Sequence, residues 1–311
     1  MVKKYFHFFT ILVILIISAY YIQQHKAEFI VLNNISGLYI ALLVLLMMGV
    51  FGTAGYSFKL LVSLHQVHLT LTETFGLSVL TNFANYIGPT GPGLVFKALY
   101  LKSTRGLLYS NFTTVIMANF IIMLFLQGVF GLILIFLSHR ENMAFPVFLP
   151  LICLGLVIVS LLPFIFKLPV LRTKGRITRF LQSSVQGFDI IRSQKNKLLL
   201  ICLSFLLQYI NSAILTMVVY DSIGYPITFL TALTIGVLTS IVNIIHITPN
   251  NFGIQAIALA YLVSLTGLDF THGIIGAGII RAFNLGSTFI LAPIFSIGLL
   301  KPKGIPMWPK S

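Results

Sequence analysis

Arg281 lies eight residues into the apolar run that begins at Gly273, roughly 12 Å deep at about 1.5 Å per helical residue. A cation at that depth costs a few kcal/mol, so it either marks a functional position or is paired internally, here with backbone carbonyls or Asn284. Its planar fork suits the bidentate recognition of phosphate. Two broken stretches carry the complementary feature. Pro89 to Gly93 (PTGPG) and Pro249 to Gly253 (PNNFG) interrupt apolar segments, and polar pairs three residues apart precede them, Asn82/Asn85 and Asn243/His246. After each break a short helix is expected, starting near Leu94 and near Ile254, with its N-terminus in the membrane interior. Such a terminus offers unpaired N–H groups and the positive end of the helix dipole. Gly91, Gly93 and Gly253 permit close backbone approach, and Lys97 either adds a full charge or snorkels to the cytoplasmic interface. The candidate substrate-binding set is therefore Asn82, Asn85, Pro89, Gly91, Gly93, Lys97, Asn243, His246, Pro249, Gly253 and Arg281, and the chemistry it suits is anion binding.

The elements that must hold this set are membrane helices. The 311 residues are 58% hydrophobic and 8% charged, with a mean hydropathy of +1.00, whereas a soluble domain carries about a quarter charged residues. Apolar runs longer than about 18 residues indicate helices rather than the short alternating segments of a barrel. The +14 net charge would suggest nucleic acid in a soluble protein; here it reflects sidedness, and no nucleic-acid partner is expected. Cys153 and Cys202 both fall in apolar runs and read as packing residues. No metal-ligand spacing, nucleophile elbow, phosphate loop or dinucleotide fingerprint occurs, so neither a catalytic residue nor a metal or other cofactor is expected.

Six clear spans run over Phe6 to Tyr21, Leu38 to Leu64, Gly106 to Ser138, Phe145 to Phe166, Leu198 to Tyr220 and Gly273 to Leu300. The first follows Lys3 and Lys4 without a small-residue cleavage pattern and reads as a signal anchor. Thr70 to Lys102 and Thr228 to Thr266 are broken hairpins, either re-entrant or paired short crossings, and each returns to its starting side. With Lys3 and Lys4 inside, all of the twenty Lys/Arg residues except Lys26, Arg140 and Arg281 fall in cytoplasmic segments, as the positive-inside rule demands. Gly76, Pro89 and Gly93 recur as Gly236, Pro249 and Gly253 at an offset of 160. With this topology the two copies run in opposite senses, the inverted-repeat design of many secondary transporters. The expected fold is an all-α membrane protein, a polytopic helical bundle over residues 1–311. Repeat one spans about 37–138 and repeat two about 197–300. A basic segment, 167–197, joins them; its apolar residues recur at helical spacing, so it is either an amphipathic helix on the anionic lipids of the inner leaflet or a solvated loop.

Pro89, Gly93, Lys97, Pro249, Gly253 and Arg281 also carry a resemblance to the lysylphosphatidylglycerol synthase transmembrane-region family, which includes the flippase portion of the multiple-peptide-resistance factor. The resemblance extends over nearly the whole chain. Leu94 and Ile254-Gln255-Ala256 stand where the family pattern has glutamates, which puts the coupling or substrate of relatives in doubt here. It implies translocation or handling of a membrane lipid, a phospholipid or a polyprenyl phosphate. No counterpart of the aminoacyl-transferase domain occurs in the 311 residues, so the expectation is a non-enzyme.

The reading that follows is a multi-pass protein of the plasma or inner membrane that binds a lipid with an anionic head group and moves it between leaflets. The alternatives are an intramembrane transferase, or transferase partner, acting on a polyprenyl-phosphate-linked sugar, for which Glu73 is the nearest acid, and a non-transporting scaffold. The charge distribution makes one prediction directly: both termini are cytoplasmic. Single cysteines at Ser183 and at Asn142 should label from opposite sides with an impermeant reagent, and labelling from one side would end the six-span topology.

Overall fold

The computed structural model describes residues 23, 35–87, 91–139, 145–165, 194–242, 251 and 253–300. The expected first span, most of segment 167–197, and Pro89, Asn243, His246 and Pro249 lie outside the described residues. Among the described residues the fold is all-helical, with nine helices and no strand. In chain order they are α1 (Gly37–Ser63), α2 (Leu71–Ile87), α3 (Pro92–Arg105), α4 (Tyr109–Ser138), α5 (Phe148–Ile165), α6 (Lys195–Ser222), α7 (Phe229–Val242), α8 (Ile254–Ser264) and α9 (Phe270–Leu300).

Four of these, α1, α4, α6 and α9, are long and apolar enough to cross a membrane. They and α5 follow the expected spans closely. The start of the third span moves from Gly106 to Tyr109 for a local reason. Gly106 adopts φ 68°, its N–H donates to Lys102 O, and Leu107 N–H donates to Leu101 O. This paired closure ends α3 and lets α4 start afresh. The broken segments give α2, α3, α7 and α8 with 17, 14, 14 and 11 residues. α3 and α8 are shorter than the roughly 20 residues that a full crossing requires, while α2 and α7 run to the edge of the described residues.

Both short pairs begin with a threonine cap. Thr70 Oγ1 accepts from Glu73 N–H at 3.2 Å while Glu73 Oε2 accepts from Thr70 N–H at 3.0 Å, a reciprocal capping box. Thr228 Oγ1 accepts from Thr231 N–H at 3.1 Å, which starts α7 without the acid. The neighbours match as well: α2 packs on α1, α3 and α9, and α7 packs on α6, α8 and α4, while α1 lies along α6.

Without water to drive association, helices inside a membrane are held by close packing, which small residues permit. A Cβ on Gly55 would lie 2.4 Å from Thr74 O, where α1 meets α2; one on Gly273 would lie 2.4 Å from Ala260 Cα, where α9 meets α8; one on Gly131 would lie 2.5 Å from Cys153 Sγ, where α4 meets α5. Cys153 is thus the buried packing residue its apolar setting suggested. The Gly273 contact is backbone against backbone and cannot be relieved by a rotamer change. Gly273→Val should destabilise the detergent-solubilised protein by about 1–3 kcal/mol, read as a lower thermal midpoint, while Gly278→Ala, with nothing within 4 Å of its Cβ, should change it little.

Candidate lipid-binding site

Arg281 lies about 16 Å along α9 from Phe270 and is half-buried. Its Nη2 donates to Gln255 Oε1 at 2.9 Å and to Asn251 O at 3.3 Å, and its Nη1 reaches Tyr86 Oη at 3.5 Å. Asn284 and Thr288 follow on the same face of α9. Asn82 Nδ2 donates to Asn284 Oδ1 and to Thr288 Oγ1, each at 2.7 Å, and Tyr86 Oη donates to Asn284 Oδ1 at 2.8 Å. Residues from α2 and α9 and the start of α8 therefore meet in one network, and the guanidinium's hydrogen-bond partners in it among the described residues are neutral. Three described acids are engaged elsewhere: Glu73 with Arg105, Asp221 with Tyr39, and Asp269 beside His272.

The network borders a cavity of about 230 Å³ between α1, α6, α7, α8 and α9. Arg281, Asn284 and Gln255 line one part; Ser212, Thr216, Thr239 and Ser240 line another. Among the described residues no carboxylate lines it. The polar lining follows helical register, with Gln208, Ser212 and Thr216 four residues apart on α6.

The two helix N-termini differ. At α3 the first four positions offer no open donor: Pro92 has no N–H, Gly93 N–H donates to Asn85 Oδ1 at 3.0 Å, and Leu94 and Val95 donate to Gly91 O. A Cβ on Gly93 would meet Thr81 O at 2.5 Å, so this glycine serves the contact of α3 with α2. At α8 the N–H groups of Ile254, Gln255 and Ala256 have no acceptor among the described residues, and Gln255 and Ala256 border the cavity. Gly253, at φ 86°, and Asn251, at φ 52°, precede this end, and Arg281 donates to Asn251 O and Gln255 Oε1 beside it.

Of the candidate set, the structure gathers Asn82, Gly253 and Arg281 around the network. Asn85, Gly91 and Gly93 lie at the start of α3, and Lys97 does not reach the cavity: its Nζ sits 4.2 Å from the centroid of the Phe58 ring on α1, a cation–π contact. Sequence reasoning missed Tyr86, Gln255 and the cavity hydroxyls. Tyr86 stands four residues after Asn82 and Gln255 two after Gly253, positions that helical register could have singled out.

Glu73 is tied into the base of the first hairpin. It starts α2, about 21 Å along the helix from the break, and its oxygens accept from Arg105 Nη2, Tyr100 Oη and Thr70. Burial works to raise its carboxyl, but the Arg105 guanidinium, the Thr70 N–H and the Tyr100 hydroxyl outweigh burial and hold it down at about 2.

A bundle of apolar helices with broken segments around a cationic, cavity-lining network defines a multi-pass membrane protein. Residues 31–292 match the family model described as the lysylphosphatidylglycerol synthase transmembrane region, and the chain belongs to that family. No curated protein and no solved structure resembles it closely enough to count as a match.

A carboxyl depressed in the folded state stabilises above its unfolded pKa near 4.3 and loses that contribution as pH falls toward its folded value. For Glu73 the contribution is about 3 kcal/mol, so the thermal midpoint should fall between about pH 4.5 and 2. Glu73→Gln should lower the midpoint at pH 7 and remove that part of the acid dependence.

Proposed function

We propose that this protein binds a membrane lipid through its phosphate-bearing, anionic head group and carries it between leaflets, as a flippase-like transporter. The observation that supports this most is the set of neutral acceptors that Arg281 has among the described residues, beside an α8 N-terminus whose first N–H groups have no described acceptor and against a cavity without a described carboxylate. A guanidinium keeps its charge at any relevant pH, and inside a membrane a charge of that kind attracts a counter-ion. A phosphate that enters the cavity meets both the charge and the α8 N–H groups. At about 230 Å³ the cavity is smaller than the 300–1,000 Å³ pockets that enclose drug-sized ligands, so it suits a head group whose acyl chains stay outside.

Transport, as opposed to binding alone, is supported by the architecture. The matched neighbours of α2 and α7 are what an inverted repeat produces, with α1 to α4 exchanged for α6 to α9, and the short broken pairs suit re-entrant hairpins that meet at a central site. The distribution of Lys and Arg supports cytoplasmic termini in a plasma or inner membrane.

The test uses purified protein and its reconstituted vesicles. Arg281→Gln should lose retained anionic lipid by tenfold or more, about 1.5–3 kcal/mol for hydrogen bonds to a charged group, and leaflet-to-leaflet transfer should fall with it. Arg281→Lys should keep part of both, since the charge remains while the bidentate geometry does not. Normal binding and transfer in a folded Arg281→Gln protein would reduce Arg281 to a structural residue.

A further inference from the structure

Gln255 is the second residue of α8 and lines the cavity beside Arg281. A side-chain amide has two unlike ends, and the bonding here tells them apart. Oε1 accepts from Arg281 Nη2 at 2.9 Å. A guanidinium only donates, so the oxygen faces it and the amide nitrogen faces away. Among the described residues Nε2 has no acceptor, and it is not one of the buried side-chain atoms left without a partner. It is an accessible donor on a residue of the cavity wall. One side chain thus solvates the guanidinium through its oxygen and extends the array of donors through its nitrogen. A neutral acceptor does not cancel the charge it solvates.

We propose that Gln255 determines the selectivity of the site for anions: it holds the guanidinium through Oε1 and gives Nε2 to the phosphate of the ligand as a direct donor. The proposal rests on the lipid-phosphate reading above and names a second ligand residue for it. A carboxylate nearly matches an amide in size and shape but reverses both effects. It only accepts, so the donor that meets the anion becomes an acceptor that repels it. It also pairs with Arg281 and neutralises the charge that draws the anion in. Gln255→Glu therefore separates binding from stability, because the new ion pair holds Arg281 at least as firmly while the anion loses its site. A residue that only packed the start of α8 would lose both together.

The experiment exposes delipidated full-length protein to an equimolar mixture of dioleoyl phosphatidic acid and dioleoylglycerol, which share their acyl chains and differ in the phosphate. Bound lipids are counted by native mass spectrometry, and a thermal midpoint is measured for each variant. The parent should retain phosphatidic acid over diacylglycerol. Gln255→Glu should lower retention of phosphatidic acid by about tenfold with a midpoint no lower than the parent's. Gln255→Leu, which removes the donor without adding charge, should lower retention about fivefold. Parent-like retention in folded Gln255→Glu protein would overturn the selectivity role and leave the phosphate reading standing, as would a midpoint that falls together with retention. Parent-like retention in Gln255→Leu would overturn the direct contact of Nε2. Failure of the parent to prefer phosphatidic acid would instead overturn the lipid-phosphate reading itself. Displacement of phosphatidic acid by an equal concentration of inorganic phosphate would overturn the lipid as the source of the phosphate.

Discussion

A guanidinium inside an apolar bundle has to be solvated by the protein, and the rest of this structure follows from how that is done. Arg281 is met by an amide oxygen from Gln255, a backbone carbonyl from Asn251 and a tyrosine hydroxyl from Tyr86. Three separate stretches of chain must converge for this, α2, α9 and the turn into α8. Neutral acceptors spread the cost of burial without cancelling the charge. A carboxylate in the same place would form an internal pair and remove the reason for an anion to enter. The choice of amide over acid at Gln255 therefore bears on what the cavity attracts as much as on how Arg281 is held.

The two broken segments use the same ingredients differently. In the first, Asn85 closes the start of α3 and Gly93 lets α3 pack against α2, so the polar groups are spent within the hairpin. In the second, no described residue closes the start of α8, and Arg281 is bonded beside it to Asn251 O and Gln255 Oε1. Sequence symmetry thus coexists with structural asymmetry. One hairpin is a finished structural unit, and the other presents donors to the cavity.

Much of the fold was legible in the sequence because apolar runs in a membrane protein are long and uninterrupted, and Pro and Gly break them unambiguously. Five of the six expected spans correspond to described helices within a few residues, and the shift at Gly106 reflects a helix closure that only the backbone geometry reveals. Arg281 stood out because a lone cation in an apolar run has few explanations. Its partners did not, since Tyr86 and Gln255 are unremarkable residue types whose importance lies in convergence from distant elements. Lys97 shows what spacing alone leaves open. Its place one turn into a short helix suggested the site, but the side chain's reach and the Phe58 ring take the ammonium elsewhere.

The ion pair at the base of the first hairpin has a mechanical consequence. Glu73 opens α2 and Arg105 closes α3, so the outer ends of the two arms are cross-braced, while Asn85 and Gly93 pin the inner ends. A strut fastened at both ends resists scissoring, and any rearrangement has to carry it whole. In the second hairpin α8 is instead pressed backbone to backbone against α9 at Gly273, so it is coupled to the helix that bears the charge. The first hairpin is thus tied within itself, whereas α8 is tied to the helix that carries Arg281.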